Sequence, residues 1–355
     1  MSDKEVIVID QFGAFLGRES GRIQIRYRNR RTRRPNEEGT EGKKTVEEYP
    51  FFKVERIVIA SPGVSLSANL IQECVKHGIA IDFLSYGGRP YARLSSPELS
   101  GTVKTRREQI LAYIDARGLE FARMVVKGKL GNQASILKYF AKYRKERDKE
   151  TYNQIRQAVD EVEGISSQIF TCSGNPSNVD DDRQRLLSIE GRAGRIYWEV
   201  FTRLVPGEVD FEGREHRGAT DPVNCLLNYG YGLLYAQVWG AIELAGLDPF
   251  AGFLHVDRPG KPSLVLDLIE EFRQQVVDRT VFGLVNRGYK PKMEEERLSD
   301  GARKEFARKI LDRLEGQERY EGKTHKLRTI IQMQARHLAM FFRGERKYKP
   351  FIGSW

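Results

Sequence analysis

The spacing of apolar residues along the chain divides it into two parts near residue 100. The first part carries short runs with the two-residue period of strands. VIVID (6–10) is followed by FGAFLGRESGRIQIRY, in which Glu19-Ser20-Gly21 separates two alternating runs and predicts a hairpin. FFKVERIVIAS (51–61), AIDFLSY (80–86) and PYARLSS (90–96) supply further strands, the last two separated by Gly87-Gly88. Between them SLSANLIQECVKHG has helical spacing at Leu66, Leu70, Ile71 and Cys74, with Ser65 or Ser67 able to cap its start and Gly78 just past its end. These signals predict a small, mainly antiparallel β domain with one helix over residues 1–98.

After SSPELSG (95–101) the period lengthens to that of amphipathic helices. REQILAYIDARGLEFARMVVKGKL and QASILKYFAKYRKERD open a series that continues at 182–204, 223–245, 263–284, 300–316 and 325–342. The prediction is an all-α domain of about eight helices over residues 102–343, followed by a basic and aromatic tail at 344–355. The tail either packs on the domain or contacts DNA or a partner. The fold class is therefore α+β and multidomain, without an internal repeat.

One stretch follows neither period. Residues 28–49, RNRRTRRPNEEGTEGKKTVEEY, hold almost no apolar side chains and turn from arginine-rich to glutamate-rich, as a solvated loop or mobile arm does. Arg22, Arg26, Arg28, Arg30, Arg31, Arg33 and Arg34 form the densest positive run. It either contacts DNA, with affinity falling steeply as salt rises, or is balanced by Glu37, Glu38, Glu41, Glu47 and Glu48.

Composition sharpens this picture. The 355 residues exceed the length at which one core usually stops growing, about 250–300, which favours two domains. There are 59 Lys and Arg against 49 Asp and Glu, a net charge of +10 that favours a polyanionic partner, nucleic acid ahead of membrane. No apolar run reaches the roughly 18–20 residues that span a bilayer, and MSDKEVIVIDQF lacks a secretory apolar core, so a soluble, cytoplasmic protein without a membrane partner is expected. Cys74, Cys172 and Cys225 are odd in number and lack close pairing, against a disulfide framework or a thiolate zinc site.

The candidate chemistry gathers in GFLHVDRPGKPSLVLDLIEEFR (252–273). If Ser263 caps the helix, Asp267 and Glu270 project from one face, with Glu271 a step further round. Their neighbours Leu264, Val265, Leu266, Leu268, Ile269 and Phe272 are apolar, so the carboxylates need cations or hydrogen-bond donors unless that face meets water. Arg258, Arg273 or a divalent metal ion would each serve. His255 precedes a DRPGKP turn that can fold its imidazole back toward this helix, although a purely structural histidine is the plainer alternative.

Glu190, in DDRQRLLSIEGRAGRIYWEVF, adds another acid beside Gly191 and Gly194, whose missing side chains point to close approach of a backbone or ligand. One imidazole with carboxylates is a hard donor set that suits Mn²⁺ or Mg²⁺ better than structural zinc, and such a centre suits phosphoryl chemistry. Arg214, Arg217, Arg258 and Lys261 are near in sequence to meet phosphates. Tyr197 and Trp198 either pack in the core or stack on a base.

SIEGRAGRIYWEVF, DPVNCLLNYGYGLLYAQV and GFLHVDRPGKPSLVLDLIEEFR, in this order and spacing, resemble the signature blocks of the CRISPR-associated integrase and endonuclease family of the adaptation step. ERIVIASPGVSLSANLIQECVKHGIAIDFLSYGGRPYARL resembles the end of that family's β domain. The resemblance implies a β-sandwich-like domain, an α-helical catalytic domain, a symmetric homodimer, and a small ferredoxin-like partner bridging two dimers.

It also implies a metal site of Glu190, His255 and Glu270, with Asp267 at a further acidic position, either behind the ligands or as an alternative one. Many members carry aspartate at the position of Glu270. The implied reaction is attack of a 3′-hydroxyl of a short DNA fragment on a phosphodiester at a CRISPR repeat, without a covalent protein intermediate or ATP. A structure-specific repair nuclease and a non-catalytic nucleic-acid-binding scaffold are the alternatives.

Overall fold

The two periods become two structural units. A computed structural model describes residues 4–27, 45–85, 87–96, 103–171, 178–207, 209–215 and 218–354. The first unit runs β1 (Glu5–Ile9), β2 (Phe15–Glu19), β3 (Arg22–Tyr27), β4 (Thr45–Pro50), β5 (Val54–Ile59), β6 (Ser65–Leu66), α1 (Ala68–Lys76), β7 (Ala80–Leu84) and β8 (Pro90–Leu94). Two four-stranded sheets, ordered β1-β5-β7-β8 and β4-β3-β2-β6, share a core that includes Ile9, Leu16, Ile23, Ile25, Ile57, Ile59 and Leu70. The predicted hairpin forms, with Ser20 at φ 49° and Gly21 at φ 73° giving the left-handed turn that matches strand twist. Ser67 caps α1 by accepting the Leu70 N–H at 3.2 Å, and Gly78 follows the helix at φ 67°.

The pairing is more mixed than the expected antiparallel pattern. β2 with β3, β3 with β4, and β7 with β8 are antiparallel, whereas β1 with β5, β5 with β7, and β2 with β6 are parallel. The cause is topological: α1 carries the chain across the sheet between β5 and β7, and such a crossover returns it in the same direction. The acidic end of the expected arm is also ordered. Residues 45–50 form β4, where Glu47 accepts hydrogen bonds from the Tyr27 and Tyr49 hydroxyls. Arg22 pairs with Glu48 and Arg26 with Glu19, while Arg28, Arg30, Arg31, Arg33 and Arg34 lie outside the described residues.

The second unit is built from α2 (Val103–Leu111), α3 (Ala116–Lys142), α4 (Lys149–Ser167), α5 (Arg183–Leu204), α6 (Pro222–Leu244), α7 (Ser263–Ile269), α8 (Arg279–Val285), α9 (Asp300–Glu315) and α10 (Leu327–Phe342). It is not wholly helical: β9 (Met293–Glu294) pairs with β10 (Arg297–Leu298), and β11 (Gln317–Tyr320) with β12 (Lys323–Lys326). Asp115 caps α3 and Asp221 caps α6, the latter with Pro222 in the first turn, where a missing N–H is harmless. The tail is packed: Tyr348 and Phe351 are buried, and the Phe351 ring stacks on Phe272 at 5.4 Å between centroids. Among the described residues no helix is long and apolar enough to cross a membrane. Cys74 and Cys225 are free thiols, and Cys172 lies outside the described residues.

The units meet along α6. The β7–β8 turn presses on the helix where Gly232 has no side chain, and a Cβ there would lie 1.6 Å from the Gly88 carbonyl oxygen. Further along, Arg56 and Arg93 converge on buried Asp82 at 3.3 and 3.2 Å, and Arg93 also reaches Glu243 on α6 at 3.0 Å. These glycines and charges join the sheet to the helical core.

Candidate active site

Asp267 organises the first half of the site. It is fully buried, and its Oδ2 accepts the N–H groups of Phe253 and Leu254 at 2.6 and 3.1 Å. Oδ1 accepts the His255 N–H at 2.9 Å and lies 2.7 Å from the ring Nδ1. With Asp267 Oδ1 as acceptor, the neutral form of the ring carries its proton on Nδ1 and keeps the Nε2 lone pair. Burial lowers the His255 pKa, but the hydrogen bond and charge of Asp267, with the fields of Glu270 and Glu190, outweigh it and raise the value overall.

The loop bearing His255 is braced from several sides. Arg183, at the start of α5, donates to the Phe253 carbonyl at 3.0 and 2.9 Å. Gln109 on α2 donates to the carbonyls of Asp248 and Ala251 at 2.9 and 2.8 Å. Gly252 is required by close packing, because a Cβ there would meet Ser263 at 2.5 Å. Ser263 is not the cap; Pro262 takes that place and Ser263 is the first helical residue.

The long helix expected at 263–284 is broken. After Ile269 the N–H groups of Glu270 and Phe272 bond three residues back, and Gln274–Asp278 then widen into a π-helix ahead of α8. Tightening followed by widening re-aims successive side chains, which is the usual service of a π-bulge at a functional site. Glu270 turns toward His255 and Glu190. Glu271 turns the other way, accepting from the Gln334 side chain, the Tyr348 hydroxyl and the Phe351 N–H, so it fastens the tail. Burial pushes the Glu271 pKa up to about 7 against those three bonds.

Glu190 and Glu270 meet at Lys129 of α3. The ammonium contacts Glu190 Oε1 and lies 2.9 Å from Glu270 Oε2, while Arg273 donates to Glu270 Oε1 at 2.9 Å. Burial works against the charge on Glu270, but Arg273, Lys129 and His255 together hold its pKa down to about 2. The alternative of a salt bridge from Glu270 to Arg273 is thus realised. Among the described residues no three His, Cys, Asp or Glu side chains stand, as placed, within reach of one ion. The donor set nevertheless fits a hard cation: Glu190, the Nε2 of His255, and Glu270 Oε2, a buried oxygen with an ammonium contact but no aligned hydrogen bond. Asp267 is different, since both of its oxygens are committed to His255 and its neighbours.

Behind this site lies a second buried acid. Asp278 accepts from the Tyr197 hydroxyl at 2.7 Å and from the Tyr231 hydroxyl, and Arg273 and Arg214 stack over the Tyr231 ring at 4.7 and 5.3 Å. Tyr197 is therefore a core residue, with Trp198 packed edge-on against it. Burial raises the Asp278 pKa from 3.8 to about 6 against the bonds from Tyr231 and Tyr197. A folded pKa above the unfolded one means the contribution to stability is complete below about pH 4 and is lost as pH rises through about 6. Relative to Asp278→Asn, which cannot ionise, the wild-type unfolding free energy is expected to fall by about 3 kcal/mol between pH 4 and 7 in urea titrations. A constant difference between the two proteins across that range would contradict this.

The remaining expected residues divide. Arg214 hydrogen-bonds the Asn224 and Asn228 side chains at 3.0 and 2.6 Å, so its guanidinium is engaged within the protein. Arg258 and Lys261 line an open depression of about 500 Å³ with Asp248, Phe250 and Asp257. Arg217 lies outside the described residues. Gly191 and Gly194 face open space, not a packed neighbour. Sequence reasoning missed Lys129, Arg183, Gln109 and the Tyr231–Asp278 pair.

Comparison with known proteins bears on the chain as a whole. The family model described as "CRISPR associated protein Cas1" matches residues 7–312. A relative from Archaeoglobus fulgidus, named CRISPR-associated endonuclease Cas1 1, is 38% identical over 361 residues, covering 98% of this chain and 99% of that protein. Among solved structures, a casposase bound to integration product superposes with a TM-score of 0.78 at 23% identity, over 98% of this chain and 93% of that one. A chain of a Cas6-RT-Cas1–Cas2 complex gives 0.76 at 17% identity, over 99% of this chain and 36% of that one. At these identities the structural likenesses speak for the fold.

Proposed function

This chain belongs to the Cas1 family of CRISPR-associated proteins, and from that premise we propose that it is a divalent-metal-dependent DNA integrase and endonuclease of CRISPR adaptation. It joins the 3′-hydroxyl of a short DNA fragment to a phosphodiester at a CRISPR repeat by direct transesterification. It acts in the cytoplasm as a homodimer, with a small ferredoxin-like partner bridging two dimers. The convergence of Glu190 and Glu270 on one buried cation position, facing His255, is the observation that carries this reading.

Glu190, His255 and Glu270 would hold the ion. Mn²⁺ or Mg²⁺ bound there would supply Lewis-acid activation of the attacking hydroxyl and neutralise charge developing on the phosphate. The chain's own residues prepare the site. Asp267 fixes the imidazole so that Nε2 stays available, and Arg273 keeps one Glu270 oxygen turned away, which leaves the other for coordination. Arg258 and Lys261, on the loop that follows His255, line an open depression and would meet phosphates of the incoming strands.

Curated relatives are named endonucleases, and hydrolysis follows from the same centre when water replaces the 3′-hydroxyl. The test is transfer of a 3′-hydroxyl duplex, labelled on the strand to be joined, into a supercoiled plasmid carrying a repeat. The expected result is label in relaxed plasmid with Mn²⁺ or Mg²⁺ and none with EDTA. Nicked plasmid without label, with the bridging partner present, would leave hydrolysis as the activity.

A further inference from the structure

We infer that Lys129 is the resident cation that holds Glu190 and Glu270 together in the metal-free protein, and that a divalent ion reaches those carboxylates only by displacing it. This rests on the reading of the site as a metal centre. The two carboxylates come from α5 and from the end of α7, and Lys129 comes from a third element, α3. Its side chain is 16% exposed and Glu270 is 4% exposed, so the three meet largely out of water. Carboxylates held so closely in such a place repel each other unless a cation stands between them.

The two sides of Glu270 are not equivalent. Oε1 takes a directed bond from Arg273 at 2.9 Å. Oε2 has the ammonium at 2.9 Å and no aligned hydrogen bond, so a metal ion exchanging at Oε2 leaves the Arg273 bond in place. Lys129 and Arg273 already balance Glu190 and Glu270, two charges against two. Adding a divalent ion with Lys129 still in place would leave uncompensated positive charge in a buried site.

The backbone beneath Lys129 is held firmly, so its side chain does the moving. Gly128 lies against Pro350, and Asn132 donates to the carbonyls of Glu271 and Phe351 at 3.0 and 2.7 Å. Four methylenes then let the ammonium swing away without moving α3. Lys129 is in this sense a positioning residue, since it sets the spacing of the carboxylates and competes with the ion they bind.

The test uses the full-length protein without DNA. Mn²⁺ binding is measured by calorimetry and by melting temperature for wild type, Lys129→Met, Lys129→Arg and His255→Ala. Lys129→Met is expected to melt lower than wild type without metal and to bind Mn²⁺ roughly tenfold or more tightly, because no ammonium has to be displaced from the two carboxylates before the ion can bind. Its melting temperature should also rise further on adding Mn²⁺ than that of wild type. Lys129→Arg keeps the charge and should bind no more tightly than wild type, and His255→Ala should bind weakly. If metal-free Lys129→Met does not fold, recovery of a cooperative melt on adding Mn²⁺ supports the proposal, and no recovery overturns it. Equal or weaker Mn²⁺ binding by folded Lys129→Met overturns the role of Lys129 alone. No Mn²⁺ binding by any of the four proteins overturns it together with the metal reading of the site.

Discussion

His255→Ala and Glu270→Ala are each expected to lower the rate of DNA joining at least roughly a thousandfold while leaving the protein folded. The separation of activity from folding follows from the contacts. Without the imidazole, Asp267 still accepts three backbone N–H groups, so the loop at 253–255 keeps its anchor. Without the Glu270 carboxylate, Lys129 keeps Glu190 and Arg273 keeps its stack on Tyr231. Each substitution therefore removes a proposed metal donor without emptying the core.

Asp267→Asn should behave differently, losing roughly 10- to 100-fold, because in the proposed centre Asp267 orients His255 instead of binding the ion. The comparison is made with single-turnover joining rates, after circular dichroism melts have shown that each variant is folded. Rates near wild type for His255→Ala or Glu270→Ala would mean the donor set has been misassigned.

Gly232→Ala is expected to be among the most destabilising single methyl additions in the chain. The new Cβ would lie 1.6 Å from the carbonyl oxygen of Gly88, backbone against backbone, so no rotamer change relieves it. Either α6 or the β7–β8 turn must move, and the turn is held by Gly88 at φ 79°. A cost of roughly 4 kcal/mol or more is expected, beyond the range of ordinary overpacking. Gly191→Ala is the control: its Cβ would meet nothing within 4 Å on an exposed helical face, so it should be neutral or stabilise by up to about 1 kcal/mol. Urea titrations of both variants would check this, and a Gly232→Ala midpoint equal to wild type would mean the sheet does not dock on α6 as described.

Much of this was legible in the chain because local rules govern it. The Ser67 cap, the Ser20-Gly21 turn and the helical periods each depend on a few neighbouring residues. The acids were legible too, since an apolar helix carrying Asp267 and Glu270 announces a need for partners. Which partner each takes was not. Asp267 turns to His255 and its own loop, and Glu270 to Arg273 and Lys129, because the helix tightens and then widens between Ile269 and Asp278. No side-chain pattern marks that change of winding.

Lys129 was hidden for a related reason. A lysine within RMVVKGKLGNQ reads as a side chain reaching for water, and its acids lie 61 and 141 residues further along. The parallel strands and the pressure of Gly88 on Gly232 are likewise long-range facts. Gly230 and Gly232 stood in plain view in the NYGYG stretch, but their purpose, admitting Val277 and the β7–β8 turn, depends on distant elements.

The central claim is that Glu190, His255 and Glu270 form one divalent metal centre. Anomalous diffraction at the manganese edge from crystals grown with Mn²⁺ tests it most directly. The account predicts a single strong peak per chain within coordination distance of Glu190, of Nε2 of His255 and of Glu270, with Lys129 turned away and Asp267 still on Nδ1. A peak elsewhere, or none at this site with Lys129 still between the two carboxylates at saturating Mn²⁺, would contradict it.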